Sequence, residues 1–167
     1  MNVIGIVGWK NSGKTTLAAA LIRELSSRGL TVNSIKHAHH GVDVDQPGTD
    51  SYKHRDAGAR EVILAGGRRF AIMHELRGAE EPTLDELLAR LGPCDWVVVE
   101  GFKTHLHPKI EVHRQESTRA PLYPEDDSII ALVADYVADY AADFPGPVFD
   151  VNNVPAIADF ILSPGTS

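Results

Sequence analysis

Cysteine is almost absent from this chain of 167 residues, since Cys94 is the only one. A single cysteine excludes an intrachain disulfide framework and a metal site built from clustered cysteines. Cys94 directly precedes an apolar run, which predicts a small buried side chain. No apolar run approaches the roughly 20 residues of a membrane-spanning helix. We therefore expect neither disulfides nor a membrane segment.

Positive charge is also scarce. The chain has 16 Lys and Arg against 23 Asp and Glu, a net charge of −7 with His neutral. This balance predicts no general attraction to nucleic acid or to an anionic membrane surface, so a phosphate must be bound by a local site. The first five residues lead straight into a strand and lack a signal-peptide pattern. We expect a cytoplasmic protein without a nucleic-acid or membrane partner.

Strand and helix patterns alternate along the chain. A strand at 2–7, a helix at 15–27 and a strand at 31–35 form a βαβ unit, which implies a parallel sheet. Further strands are predicted at 61–65, 69–74, 96–99, 109–113, 129–133 and 148–151, and further helices at 50–57, 83–91 and 155–162. Strands 61–65 and 69–74 flank a glycine turn and predict a hairpin. Strand 109–113 alternates polar and apolar residues, as a half-exposed strand does. These patterns predict an α/β doubly wound fold with a mostly parallel sheet, helices on both faces and an added β-hairpin, in one domain spanning 1–167.

The segment Gly8–Thr15 matches the phosphate-loop pattern G-x-x-x-x-G-K-[ST]. Gly8 and Gly13 let the backbone turn tightly and approach phosphates, and the following helix N-terminus faces negative charge. Lys14 can reach the β- and γ-phosphates, and the Thr15 hydroxyl can ligate Mg²⁺. The pattern stands between a predicted strand and a predicted helix, which is the context it requires. It predicts a P-loop nucleotide-binding domain of the NTPase type.

Other residues of this loop are candidate nucleotide contacts. They are Lys10, Asn11, Ser12 and Thr16. Lys10 adds charge beside the phosphates in one interpretation and is a solvated lysine in the other.

Two acids are candidates for the magnesium site and for catalysis. Glu100 follows the buried run 96–99 at the carboxyl edge of the predicted sheet, where open α/β sheets bind ligands. We interpret it as a metal or water-positioning group beside Thr15, with an ordinary strand-end acid as the alternative. Asp45 follows the second strand, in a loop that senses the γ-phosphate in such proteins. Spacing alone does not choose between that role and a turn residue.

The chain has eight histidines, and several are concentrated between residues 37 and 54. Three interpretations remain open: a cationic pocket for an anionic second substrate, a transition-metal site, or a solvated polar loop. The residues concerned are Lys36, His37, His39, His40, Lys53, His54 and Arg55.

Three further segments contribute to a family resemblance, and the second and third of them make it specific. They are Ser34-Ile35-Lys36-His37, Asp45-x-Pro47-Gly48-x-Asp50-Ser51 and Val99-Glu100-Gly101-Phe102-Lys103. Together with the phosphate loop and the strand beginning at Lys109, they resemble the molybdopterin-guanine dinucleotide biosynthesis protein B family. The resemblance runs from about Gly5 to the C-terminal helix.

This resemblance implies a GTP-binding protein, a weak GTPase at most, that acts late in molybdenum cofactor synthesis. It implies assistance to the guanylyltransferase that joins GMP to molybdopterin, and molybdopterin itself as a bound ligand between protomers. It also implies a homodimer whose interface involves residues 60–75 and the strand around 110. Lys14 and Thr15 match the family's nucleotide loop, and Asp45 and Glu100 match its acidic positions near Mg²⁺.

Guanine recognition has a candidate but no complete motif. Related GTPases use Asn-Lys-x-Asp after a late strand, whereas this chain has Ala134-Asp135-Tyr136. Asp135 is the candidate acceptor for a guanine ring, with a helix cap as the alternative. The preference for guanine over adenine therefore follows from the resemblance. Trp9 occupies the position of the sister proteins' signature lysine, so Lys10 is assigned no role across a dimer.

Two other functions use the same loop. A small-molecule kinase would need a general base and an arginine-rich lid, and only Arg68, Arg69 and Arg77 lie near the predicted hairpin. A His-rich metallochaperone GTPase would use the histidine cluster and would bind nickel or zinc stoichiometrically.

Overall fold

The computed structural model describes residues 1–38, 43–137 and 143–164. The chain divides into two compact units, one comprising Met1–His37 with Leu87–Ser167 and the other comprising Ala38–Glu86. In chain order the elements are β1 (Asn2–Val7), α1 (Lys14–Ser27), β2 (Val32–Lys36), α2 (Asp50–Asp56), β3 (Glu61–Ala65), β4 (Phe70–His74), α3 (Leu84–Leu88), β5 (Trp96–Glu100), β6 (Lys109–His113), β7 (Ile129–Ala134), β8 (Val148–Asp150) and α4 (Val154–Ile161).

The first unit is built on a six-stranded sheet with the order β2-β5-β1-β6-β7-β8. Every neighbouring pair in this sheet is parallel. Because β1 lies between β5 and β6, the loops that follow these three strands emerge side by side at one edge. The α/β fold with a parallel sheet is confirmed.

The core of the first unit lies between the sheet and the helices α1 and α4. Leu17, Leu21 and Leu25 recur at helical spacing along α1 and are buried with Ile157 and Ile161 of α4. Each such side chain contributes about 1.5–3 kcal/mol by leaving water. This packing fixes α1, and with it the loop that precedes α1, on the sheet.

Strand β6 corrects the expectation of a half-exposed strand, because all five of its residues are buried. Its polar side chains are buried with partners, since β6 lies between β1 and β7. Lys109, 1% exposed, donates to Asp126 Oδ2 at 2.8 Å and to Ser128 Oγ at 2.6 Å. Glu111 accepts from the backbone amide of Leu122 at 2.8 Å. The alternation of polar and apolar residues in β6 therefore separates two buried faces of the strand. The polar face is tolerated inside the protein because its side chains contact other residues of the chain.

The second unit contains α2 and the antiparallel hairpin β3–β4. The hairpin prediction is confirmed, and its turn is closed by a 2.9 Å hydrogen bond from the Gly66 amide to the Arg69 carbonyl. Thr49 caps α2 by accepting from the Tyr52 amide. The apolar side chains of Ile63 and its cross-strand partner Ile72 are both more than half exposed.

Two local expectations differ from the structure. Cys94 is half-buried rather than buried, because it lies in the turn before β5 and not within the strand. Helix α3 ends at Leu88, whereas 83–91 was expected; Thr83 caps it by accepting from the Glu86 amide. None of the helices described is both long enough and apolar enough to span a bilayer.

Candidate functional site

The Gly8–Thr15 loop joins the carboxyl end of β1 to α1 and follows a path that glycine alone supports at two points. Gly8 has φ +143° and Gly13 has φ +97°. A Cβ on Gly8 would stand 2.4 Å from the carbonyl oxygen of Val112, and one on Gly13 would stand 2.9 Å from the Arg114 guanidinium. A side chain is therefore excluded at Gly8 by a clash with backbone as well as by the dihedral angle, and at Gly13 by the dihedral angle, since the Arg114 side chain can move aside.

A cleft of about 350 Å³ opens at the N-terminus of α1. Its lining consists of Asn11, Gly13, Lys14, Thr15 and Thr16. Free amide groups of a helix N-terminus favour anions, because their partial positive charge is not satisfied within the helix. The buried Ser12 Oγ, beside this cleft, has no hydrogen-bond partner in the described part of the chain. The loop thus offers donors to a negatively charged group.

Lys14 folds back on its own loop. Its ammonium donates to the Trp9 carbonyl at 2.7 Å. Burial lowers the pKa of Lys14, the nearby charge of Lys103 lowers it further, and Glu100 acts in the opposite direction. A partly desolvated ammonium of this kind gains from a phosphate neighbour, because the phosphate supplies the missing counter-charge.

Thr15, Glu100 and Lys36 meet beside the cleft. The Thr15 hydroxyl donates to Glu100 Oε1 at 2.7 Å. Lys36 Nζ donates to Thr15 Oγ1 at 3.1 Å and lies 3.3 Å from Glu100 Oε2. A hydroxyl and a carboxylate side by side suit a hard divalent cation, and here the ammonium of Lys36 contacts both. The structure therefore brings together the predicted residues Thr15 and Glu100, and adds Lys36.

Asp135 contacts the loop that follows β6. Its Oδ1 accepts from the Gln115 amide at 3.0 Å, and its Oδ2 lies 3.6 Å from the Arg114 guanidinium. Arg114 in turn donates to the Ser12 carbonyl at 3.0 Å. Asp135 is thus linked through Arg114 to the Gly8–Thr15 loop. Guanine recognition by Asp135 stays a prediction, and its side chain remains one-third exposed.

The family described as molybdopterin guanine dinucleotide synthesis protein B, MobB, matches residues 3–135. A molybdopterin-guanine dinucleotide biosynthesis adapter protein of Haemophilus influenzae is 44% identical over 161 residues, covering 95% of this chain and 86% of that protein. The adapter protein of Escherichia coli is 36% identical over 162 residues, covering 96% of this chain and 91% of that protein. The chain belongs to the MobB family.

Solved MobB structures agree with the fold. A crystal structure of molybdopterin-guanine biosynthesis protein B has a TM-score of 0.70 at 28% identity and covers 96% of this chain and 97% of its own. Bacillus subtilis MobB has a TM-score of 0.74 at 23% identity, with 97% and 96% coverage, which shows likeness of fold. Membership places the chain among proteins of molybdopterin guanine dinucleotide synthesis.

In this MobB family member Asp45 lies in the second unit, where its carboxylate is hydrogen-bonded to neighbouring side chains of the same unit. Its carboxylate accepts from the hydroxyls of Thr49 at 2.8 Å and Ser51 at 3.0 Å, and lies 3.3 Å from Arg55. Burial raises the pKa of Asp45, but these hydrogen bonds outweigh it and the net shift is downward. The Asp-x-Pro-Gly-x-Asp-Ser segment is therefore ordered around this carboxylate. A magnesium role for Asp45 stays a prediction.

The histidine cluster is only partly described. His37 stacks on Phe102 with ring centres 4.6 Å apart, and His54 lies on α2 in the other unit. His39 and His40 fall outside the described residues. Across residues 1–38, 43–137 and 143–164, no group of three or more His, Cys, Asp or Glu side chains is arranged to hold a metal ion.

Sequence reasoning did not find the role of Arg114. The residue follows β6 and contacts the Gly8–Thr15 loop 102 positions upstream, at Ser12. No local pattern marks such a contact, because it depends on β6 pairing with β1. The only available signal was an arginine directly after a predicted strand.

Proposed function

We propose that this chain is a GTP-binding adapter in molybdenum cofactor synthesis, a weak GTPase at most, that assists the guanylyltransferase joining GMP to molybdopterin. The observation that carries the proposal is the Thr15–Glu100 pair beside a glycine-dependent anion-binding loop. Membership in the MobB family supplies the biosynthetic setting.

The residues fit a magnesium–triphosphate group. The amides of the Gly8–Thr15 loop and the desolvated ammonium of Lys14 would bind the phosphates, with Lys10, Asn11 and Thr16 at the rim. Thr15 and Glu100 would hold magnesium, which supplies positive charge against the phosphate oxygens. Lys36 would keep the hydroxyl and the carboxylate together, because it contacts both.

Slow hydrolysis follows from how Glu100 is engaged. One carboxylate oxygen accepts from Thr15 and the other faces Lys36. Both carboxylate oxygens are therefore already engaged, which leaves Glu100 poorly placed to accept a proton from water. This arrangement supports binding and signalling by nucleotide rather than rapid turnover.

We propose that the protein acts as a homodimer through the β3–β4 hairpin. Ile63 and Ile72 are opposite one another, and Phe70 is 68% exposed on the same hairpin. An isolated two-stranded sheet is marginally stable in water, and an exposed apolar surface of this kind marks an interaction site. A second copy of the chain would supply the same apolar strands, as two-fold symmetry requires.

The deciding experiment is a calorimetric titration of the purified chain with GTP and with ATP in the presence of Mg²⁺, followed by addition of molybdopterin. The expected result is tighter binding of GTP, and molybdopterin binding to the same complex. Preference for ATP together with phosphate transfer to a small molecule would replace this function with a kinase. A guanylyltransferase assay with and without the chain then tests the adapter role, and no stimulation would contradict it.

A further inference from the structure

The side chain of Trp9, the second residue of the Gly8–Thr15 loop, contacts two cations. Lys103 Nζ lies 4.2 Å from the centre of the Trp9 ring, and Arg119 Cζ lies 4.5 Å from it. The indole N–H donates to the Ala120 carbonyl at 2.8 Å, which fixes the ring. The two cationic groups are therefore no farther apart than the sum of these two ring distances.

This cluster follows directly from the order of the sheet. Trp9 comes after β1, Lys103 comes after β5, and Arg119 lies in the loop after β6. Since β5, β1 and β6 are adjacent and parallel, their following loops meet at one edge. Glu111 on β6 holds the third loop close by accepting from the Leu122 amide.

Within the described residues neither Lys103 nor Arg119 forms a salt bridge, although the chain carries a net charge of −7. Burial lowers the pKa of Lys103 and the charge of Arg119 lowers it further, while Glu111 acts in the opposite direction. A cation over a partly exposed indole is only weakly stabilised by the ring. The Trp9 ring therefore fixes the positions of the two cations but does not supply the negative charge that would balance them.

The cluster lies beside the cleft of the Gly8–Thr15 loop. The Trp9 carbonyl accepts from Lys14, so one residue contacts Lys14 through its backbone and Lys103 through its ring. Among neighbouring charges, Lys103 has the largest influence on the pKa of Lys14. An anion bound at the cluster would therefore be close to one bound in the cleft.

We propose that Lys103 and Arg119, held over Trp9, form a binding site for a phosphate monoester next to the Gly8–Thr15 loop. An ammonium and a guanidinium that contact the same indole supply two positive charges and several donors, which match the charge and the several acceptor oxygens of such a group. The phosphate has two sources: the terminal phosphate of a bound nucleotide, or a phosphate carried by a second small molecule. Only the first source rests on the proposed nucleotide binding.

The first arm of the test uses phenyl phosphate and the full chain without nucleotide. Binding is followed by calorimetry and by tryptophan fluorescence; Trp96 is 4% exposed, so Trp9 is the responsive indole. Lys103→Met and Arg119→Met keep the aliphatic stem on the ring and are each expected to weaken binding about tenfold or more. Arg23→Met, on the exposed side of α1, removes one charge far from the ring and is expected to change nothing.

The second arm compares GTP with GDP. If the site takes the terminal phosphate, Lys103→Met reduces the preference for GTP over GDP about tenfold and leaves GDP affinity unchanged. If it takes a second molecule, phenyl phosphate still binds the GTP-loaded chain and Lys103→Met abolishes that binding, whereas a site filled by the terminal phosphate of GTP leaves no room for phenyl phosphate.

Two results would overturn the site. One is that Lys103→Met and Arg119→Met change neither phenyl phosphate binding nor the GTP preference. The other is that Lys14→Ala abolishes phenyl phosphate binding while Lys103→Met does not, which would place the anion in the loop itself. A chain that binds neither GTP nor GDP would refute the proposed function, and the phenyl phosphate arm would still decide this proposal.

Discussion

The Thr15 hydroxyl donates to the Glu100 carboxylate at 2.7 Å although the two residues are 85 positions apart. Strand register explains the contact, because Glu100 pairs with Ile6 of β1 on one side and with Lys36 of β2 on the other. The chain leaves β1 after Val7, one residue beyond Ile6, and enters the loop that carries Thr15. The Glu100 carboxylate, at the end of β5, therefore lies close to the ends of both neighbouring strands, β1 and β2.

Replacing Glu100 by Gln should separate magnesium binding from nucleotide binding. The amide removes the negative charge but keeps an acceptor for Thr15, so the loop stays in place. We expect GTP hydrolysis to fall at least about tenfold and the Mg²⁺ dependence of GTP affinity to weaken. Calorimetry with and without Mg²⁺ measures the second effect. Equal loss of GTP affinity with and without Mg²⁺ would make Glu100 a structural residue instead.

Lys14→Met should lower GTP affinity by about 3 kcal/mol, because it removes a charge-assisted contact to phosphate. The free energy of unfolding should stay the same or rise, since the native ammonium is partly desolvated and its pKa is lowered by burial. Calorimetry and urea denaturation measure the two quantities. Unchanged nucleotide affinity would refute the assignment of the cleft.

The buried His107 should make the free energy of unfolding depend on pH. Burial lowers the pKa of His107 from 6.5 to about 4, so the unfolded chain binds the proton first as pH falls. The contribution of His107 to the free energy of unfolding is therefore complete above about pH 6.5. It is lost as the pH falls toward 4, by about 1 kcal/mol per pH unit.

His107→Leu should flatten the stability curve in that range. Urea denaturation at intervals between pH 4 and 7 gives the slope for each protein, and His54→Gln, at an exposed site, serves as the control. Parallel curves for the native chain and His107→Leu would show that His107 does not bind its proton differently on unfolding.

Lys109→Met should destabilise the first unit by about 3 kcal/mol, because it leaves Asp126 without its buried cation. The double variant Lys109→Met with Asp126→Asn should recover part of that loss, since no unpaired charge then remains. Urea denaturation monitored by circular dichroism measures both. A double variant no more stable than the single one would mean that packing, and not charge, accounts for the effect.

Phe70→Asp should convert a dimer to a monomer without unfolding the chain. Phe70 is 68% exposed within one protomer, so a carboxylate there costs little unless the residue is covered by a second copy. Light scattering coupled to gel filtration measures the mass. Arg68→Asp adds the same carboxylate in the hairpin turn and should stay dimeric. A native chain that is monomeric at micromolar concentration contradicts the interface.

Local sequence patterns were sufficient to predict most helices and strands and the position of the Gly8–Thr15 loop. The Gly8–Thr15 pattern is read from adjacent residues, and the hairpin follows from two apolar runs around a glycine turn. The meeting of Thr15 with Glu100 was also predictable, because the carboxyl ends of parallel strands share one edge.

The burial of β6 was not predictable from its own residues. Lys109 and Glu111 alternate with apolar neighbours, a pattern that half-exposed strands also show. Their partners Asp126 and Leu122 lie beyond the strand in sequence, so only the folded chain shows that both polar groups are satisfied.

The sequence by itself determined which elements form and where the glycine-dependent Gly8–Thr15 loop stands, because both depend on dihedral preference and on the spacing of apolar residues over a short stretch of chain. The tertiary structure decided which cations surround that loop. Lys36, Arg114, Lys103 and Arg119 reach it from the ends of three other strands. Their convergence depends on the order in which the strands pair, and strand order is set by packing of the whole sheet rather than by any local run of residues.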